Sequence, residues 1–219
     1  MRADLHIHSL HSGDCELSVD AILSIAEKKG MGALSVADHN SLAGSLEAME
    51  RAEGIIVLPA MEVTTEWGHL LAYHITEEVP RGLEVGETVD RVHELDGIAV
   101  APHPYRIWSG LGERAVRENG FDAIEVRNGR SLGAANRKAL ALARELDLPM
   151  VAGSDAHSAD SIGRTYTSFP EDCRSVEEMV RAILENRVMV GGEERGAMES
   201  VGYTVKCVSQ WIGRGMRRI

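Results

Sequence analysis

The stretch Met1-Arg-Ala-Asp-Leu-His-Ile-His8 decides the fold. Apolar and polar residues alternate along it, with Ala3, Leu5 and Ile7 on one side and Asp4, His6 and His8 on the other. In an extended strand, residues i and i+2 share a face. The two imidazoles therefore project side by side from one strand, where neutral ring nitrogens suit a divalent cation. A lone His-x-His is more often a strand with two exposed histidines. Here the chain goes on to supply Asp14, Asp38-His39, Glu62, His69, His103 and Asp155-Ala-His157, nearly all at the ends of strand-like runs.

Working outward, Ser18 is a plausible N-cap for a helix over Val19 to Lys29, stopped by Gly30. Ala33 to Ala37 reads as a strand and Ser41 to Ala52 as a helix. Ile55 to Glu62 reads as one buried parallel strand, apolar on both faces and ending in a carboxylate. Strand His69–Tyr73 and a helix near Glu87 to Leu95 follow. The alternation then repeats: strands Gly97–Ala101, Ala123–Val126 and Pro149–Gly153, a helix over Ala134–Leu146, a helix capped by Ser175 and running to Asn186, and a short last strand at Val188–Val190. This order predicts an α/β fold, a closed or nearly closed parallel barrel with its helices outside. Barrel sites are built at strand ends, where these polar residues sit.

Composition sets bounds. A chain of 219 residues buries a full core as one domain, and 4 % aromatic content leaves that core to aliphatic side chains. The net charge of -11 argues against general affinity for nucleic-acid backbone or anionic lipid, though not against a local anion site made by metal ions. Cys15, Cys173 and Cys207 are odd in number and far apart, the usage of a reduced, cytoplasmic protein. No stretch approaches the ~20 apolar residues that span a bilayer, so no stable membrane association is expected.

Among the candidate ligands, Glu62 is the best bridging carboxylate, because it ends the most apolar strand. Cations held close together need such a bridge to offset their repulsion. Asp155-Ala-His157 repeats the i, i+2 geometry of the first strand. Of the pair Asp38-His39, His39 is the expected ligand and Asp38 a group that orients another histidine. His103 is fixed between Pro102 and Pro104, His69 is preferred over His74, and His93 reads as a solvated helix residue. His11 shares the loop after the first strand and has a structural, substrate-facing or ligand role open to it.

The ordered set Asp4-Leu-His6-Ile-His8-Ser, Ala-Asp38-His39-Asn, Glu62, Gly-His69, His103-Pro, Ile-Glu125-Val-Arg-Asn128 and Gly-Ser-Asp155-Ala-His157 resembles the PHP (polymerase and histidinol phosphatase) family of metal-dependent phosphoesterases. The resemblance runs from Met1 to about Gly192. It implies a single-domain, distorted (β/α)7 barrel with three divalent metal ions, Zn, Mn or Fe. By the same resemblance His6, His8, Glu62 and Asp155 hold one metal, Glu62, His69 and His103 the second, and Asp14, His39 and His157 the third. The loop from His8 to Asp14 is one residue longer than the commonest family pattern, which leaves His11 as the alternative to Asp14.

Two enzymatic readings and one other follow. The first is hydrolysis of a small phosphorylated metabolite or nucleotide by a hydroxide shared between cations. Arg106 and Arg130 would grip phosphate, unless they are solvated surface residues. His11 and His74 are the candidate leaving-group acids. The second makes the substrate a short oligonucleotide, a nucleic-acid end or a nucleotide bisphosphate, with Trp67, Tyr105 and Trp108 available for stacking. A regulatory module with a degenerate site would lack ligands, and this chain retains the set. The barrel is expected over 1–195. From 196 to 219 a helical tail with a basic end, Arg214, Arg217 and Arg218, either packs on it or binds a partner or membrane surface.

Overall fold

The structure is a computed structural model that describes residues 1–193. The tail at 196–219 lies outside them. Strand β1 covers Arg2–Ile7, and helix α1 covers Val19–Lys28, with Ser18 Oγ accepting from Ala21 N as the sequence predicts. Then come β2 (Ala33–Val36), α2 (Ala43–Arg51), β3 (Ile56–Val57), β4 (Ala60–Thr64), β5 (His69–Tyr73) and α3 (Val85–Glu94). The second half holds β6 (Ile98–Ala101), α4 (Gly112–Glu118), β7 (Ala123–Asn128), α5 (Gly133–Glu145), β8 (Met150–Gly153), β9 (Thr165–Ser168), α6 (Val176–Leu184) and β10 (Met189–Gly192).

The strands form two mixed five-stranded sheets, ordered β10-β9-β1-β2-β3 and β4-β5-β6-β7-β8. The expected barrel is thus not closed by continuous ladders. The β-bridges linking the sheets, among the described residues, are two isolated parallel ones, Ile7 to Ala156 and His39 to Glu62. Nor are the strands all parallel: β5 runs antiparallel to both β4 and β6, and β9 antiparallel to β1 and β10. The two sheets nonetheless enclose one core, where Leu5 and Ala33 meet Ala60, Leu71, Tyr73, Val100 and Val151. Tyr73 closes this core with a hydrogen bond from its buried hydroxyl to Leu5 O at 2.9 Å. Helices α1 and α2 pack outside the first sheet, and α3 and α5 outside the second.

Two further differences from the sequence reading position the site. The run Ile55 to Glu62 is not one strand. It breaks at Leu58-Pro59, so that β3 pairs with β2 in the first sheet while β4 begins the second. Proline has no amide to donate to a ladder, which makes it the natural crossing point. Strand β1 is not strictly alternating either: its register slips between Asp4 and Ile7. Ala3 and Leu5 face the shared core, whereas Ile7 packs on the helix side with Ile22, Leu34 and Val36. No helix among the described residues is long and apolar enough to cross a membrane.

Candidate metal centre

The bridges between the sheets are where the polar strand ends meet. His6 and His8, both fully buried, turn their Nε2 atoms to within 3.2 Å of each other. Each ring is held from behind. His6 Nδ1 lies 3.0 Å from Glu125 Oε1, and His8 Nδ1 lies 2.9 Å from Ser12 Oγ. The loop after β1 is a 3-10 turn over Leu10–Ser12, capped by Ser9 and ended by Gly13 at φ 75, in the left-handed region that favours glycine. That turn aims Ser12 back at His8 and delivers Asp14. Asp38 secures it, accepting from Ser9 N at 2.6 Å and Ser9 Oγ at 2.7 Å. Asp38 therefore orients the loop rather than a histidine, which corrects its predicted partner.

Glu62 is the centre of the cluster. Its Oε1 is 3.0 Å from both His69 Nδ1 and His103 Nε2. Its Oε2 faces His39 Nδ1 at 3.0 Å, His8 Nε2 at 3.4 Å and His6 Nε2 at 3.5 Å. Asp14 Oδ2 reaches His157 Nε2 at 2.9 Å and His39 Nε2 at 3.8 Å. Asp155 Oδ1 lies 3.5 Å from His8 Nε2 and 3.6 Å from His157 Nδ1. His103 and Asp155 both sit in the left-handed region, at φ 29 and φ 54. Such backbone strain persists where the surroundings fix it, and here Glu125 Oε2 accepts the His103 amide at 3.1 Å.

All nine predicted ligands thus converge. Four sets of donor atoms each lie within 4.8 Å of one another: His8-Asp14-His39-His157, His6-Glu62-His103, His6-His8-Asp155 and His39-Glu62-His69. His11 is elsewhere, with Nε2 2.7 Å from Glu47 Oε2 on α2, so Asp14 rather than His11 joins the cluster. His74 bonds Asp96 O at the surface, and His93 pairs with Asp122. Arg106 and Arg130 are not solvated surface residues: Arg106 Nη2 is 2.6 Å from Asp155 Oδ2, and Arg130 Nη1 is 2.9 Å from Asp155 Oδ1.

The electrostatics are those of a crowded anionic pocket. Burial alone would raise the carboxyl of Glu62, but the surrounding His69, His39 and His6 hold it well below the usual range. Asp155 is held down in the same way by Arg106, Arg130 and His6 against its burial. Burial opposes charge on His6, yet Glu125, Asp155 and Glu62 raise it well above the ordinary imidazole value. Burial, with His157 and His39 nearby, drives its neighbour His8 the other way. His103 is pushed down to about 3 by burial and by Arg106. Asp4, just outside, is raised to about 6 by burial, although it accepts from Ser154 N at 2.8 Å and Gly163 N at 2.7 Å.

The residues fit divalent cations. Asp14, Glu62, Glu125 and Asp155 put four carboxylates against the two guanidiniums of Arg106 and Arg130, an imbalance that protons or cations must meet. Asp14 Oδ1 and His103 Nδ1 are buried without a hydrogen-bond partner among the described residues. Buried polar atoms are seldom left so unless something else binds them. Mixed imidazole and carboxylate donors suit Zn, Mn and Fe alike.

Two residues of the cluster, Glu125 and Asn128, stand in the sequence motif without an assigned role. Glu125 is a carboxylate inside an otherwise apolar strand, Ala-Ile-Glu-Val, and that oddity is a usable signal. Asn128 was part of the motif without a role; it donates to Glu125 Oε2 and Asp155 Oδ2 and accepts from Arg106.

Comparison with known proteins finds relatives in sequence and in fold. Residues 4–81 match the family model for the PHP domain, and residues 133–188 match the model for the PHP-associated region. An uncharacterized protein of Methanocaldococcus jannaschii is 35% identical over 141 residues, covering 58% of this chain and 82% of that protein. Among solved structures, a two-domain protein from Bacteroides vulgatus contains a predicted PHP-like metal-dependent phosphoesterase. It superposes with a TM-score of 0.75 at 19% identity, covering 88% of this chain and 65% of that one. The lesion-specific endonuclease PfuEndoQ of Pyrococcus furiosus superposes with a TM-score of 0.69 at 20% identity, covering 87% of this chain and 58% of that one.

Proposed function

The chain belongs to the PHP family, and on that premise we propose that it is a metal-dependent hydrolase of small phosphoesters, a phosphorylated metabolite or nucleotide. The observation that carries this reading is Glu62, whose two oxygens face five different imidazoles. A carboxylate so placed can bridge cations and offset their repulsion.

We assign His6, His8, Glu62 and Asp155 to one cation, Glu62, His69 and His103 to a second, and Asp14, His39 and His157 to a third, each Zn, Mn or Fe. Cations bound there would supply a nucleophile from water at neutral pH and neutralise charge on phosphate. The protein's own part is orientation. A carboxylate only accepts, so Glu125 keeps the His6 proton on Nδ1 and leaves Nε2 for the cluster. Ser12 fixes the His8 ring and also accepts from His39 N at 3.0 Å. Asp38 positions the loop that carries Asp14. Arg106 and Arg130 present planar forks suited to phosphate oxygens. A cytoplasmic setting belongs to the same proposal, supported by the free thiols of Cys15 and Cys173.

A second substrate class, a short oligonucleotide or nucleotide bisphosphate, is favoured by two exposed indoles, Trp67 at 68% and Trp108 at 61%, on loops following β4 and β6. His69 N bonds Ser109 O at 2.9 Å and ties those loops together. The likeness to a lesion-specific endonuclease points the same way, while the net charge of -11 opposes tracking along a strand.

The test is turnover of a nitrophenyl phosphate, a nucleotide bisphosphate and a short RNA by metal-free protein and after adding Mn, Zn or Fe. Metal-dependent turnover that disappears in Glu62→Ala and His103→Ala is expected. No turnover on any of the three with any metal would sink the proposal.

A further inference from the structure

The Asp155 carboxylate faces two fixed positive charges. Its Oδ1 is 2.9 Å from Arg130 Nη1, and its Oδ2 is 2.6 Å from Arg106 Nη2 and 3.1 Å from Asn128 Nδ2. Arg130 Nη1 also lies 2.9 Å from His157 Nδ1 and 2.8 Å from His157 Nε2. Asp155 and His157 belong to the His6-His8-Asp155 and His8-Asp14-His39-His157 groups. The guanidiniums therefore occupy atoms that a cation would need.

A histidine can give way to a metal by losing a proton, but a guanidinium does not deprotonate at working pH. It must move or stay and repel. The two side chains are only 22% and 15% exposed, so water screens them poorly. What competes for such a fork is an oxyanion, since Arg binds phosphate with paired hydrogen bonds.

Resting on the metal reading above, we propose that Arg130, with Arg106, makes cation and phosphate binding mutually dependent. Without an anion they hold Asp155 and His157 and oppose a cation at those groups. A phosphate oxyanion takes the guanidiniums, frees the ligand atoms and offsets the added charge. By linkage the effect is reciprocal: cation raises phosphate affinity by the factor that phosphate raises cation affinity.

The experiment titrates Mn into metal-free full-length protein, with and without inorganic phosphate, reading affinity by competition with a chelating indicator. In the wild type, phosphate tightens Mn binding on the order of tenfold. Arg130→Gln binds Mn more tightly without phosphate and responds less to adding it, while Arg130→Lys, which keeps the charge, stays near the wild type without phosphate. Arg106→Gln repeats the expectation of Arg130→Gln if that variant fails to fold. If the glutamine variant binds Mn no tighter than the wild type and keeps the full phosphate effect, the coupling is wrong and the metal centre stands. If the wild type takes up no Mn, and no Zn or Fe in the same assay, the metal reading fails and the coupling with it.

Discussion

Glu125 Oε1 lies 3.0 Å from His6 Nδ1, and neither side chain meets solvent. One strand of the second sheet thereby sets the tautomer of a histidine on the first. Replacing Glu125 with Gln keeps the volume but permits the wrong tautomer. Cation affinity is expected to fall about 10–100-fold, measured by Mn titration, with melting temperature showing that the fold survives.

Asp14 and His11 were alternatives in the sequence, and the structure separates them. Asp14→Ala should lower the number of Mn or Zn ions bound per chain, and His11→Ala should leave it unchanged. Elemental analysis of both purified variants reads the outcome, and equal loss in the two would mean that the loop is placed differently.

Asp4 accepts from the amides of Ser154, Gly163 and His6 in a site closed to water. Asp4→Ala strands these buried donors at the start of the Asp155 loop. A loss of about 2–4 kcal/mol in unfolding free energy is expected, with Asp4→Asn, which retains an acceptor, losing less. Urea denaturation distinguishes them.

Gly153 lets β8 approach β1 closely. A methyl group there would run into His6 Cβ and stand 2.7 Å from His6 N. Gly153→Ala should cost about 1–3 kcal/mol by overpacking and weaken metal binding together with it, because His6 must move. Parallel denaturation and Mn titration check the pairing of the two effects.

Much of this was legible in the chain. Strand ends carrying His or carboxylate located the cluster, and the Ser18 and Ser175 caps matched their helices. The break at Pro59 was missed because Ile55 to Glu62 is apolar throughout, so periodicity gave no warning and only the proline did. Strand β9 escaped because Thr165 and Thr167 are buried through hydrogen bonds to Gly153 O and Ala152 O, which a polar sequence does not announce. Helix α4 is short and buries only Val116. The register slip in β1 and the burial of Arg106 and Arg130 depend on partners far away in sequence.

Chelation offers a readout free of any substrate. A ligand that binds only the folded state adds about 2.7 kcal/mol at a hundredfold excess over its dissociation constant. Removing cations should therefore lower the melting temperature, and adding Mn should restore it. A variant lacking Glu62 should show neither change.

The most direct measurement is anomalous X-ray diffraction at the Mn edge from crystals grown with Mn and phosphate. Three peaks are predicted among His6, His8, Asp14, His39, Glu62, His69, His103, Asp155 and His157, with Glu62 touching more than one of them. A well-ordered map with these side chains in place and no anomalous density between them would contradict the account.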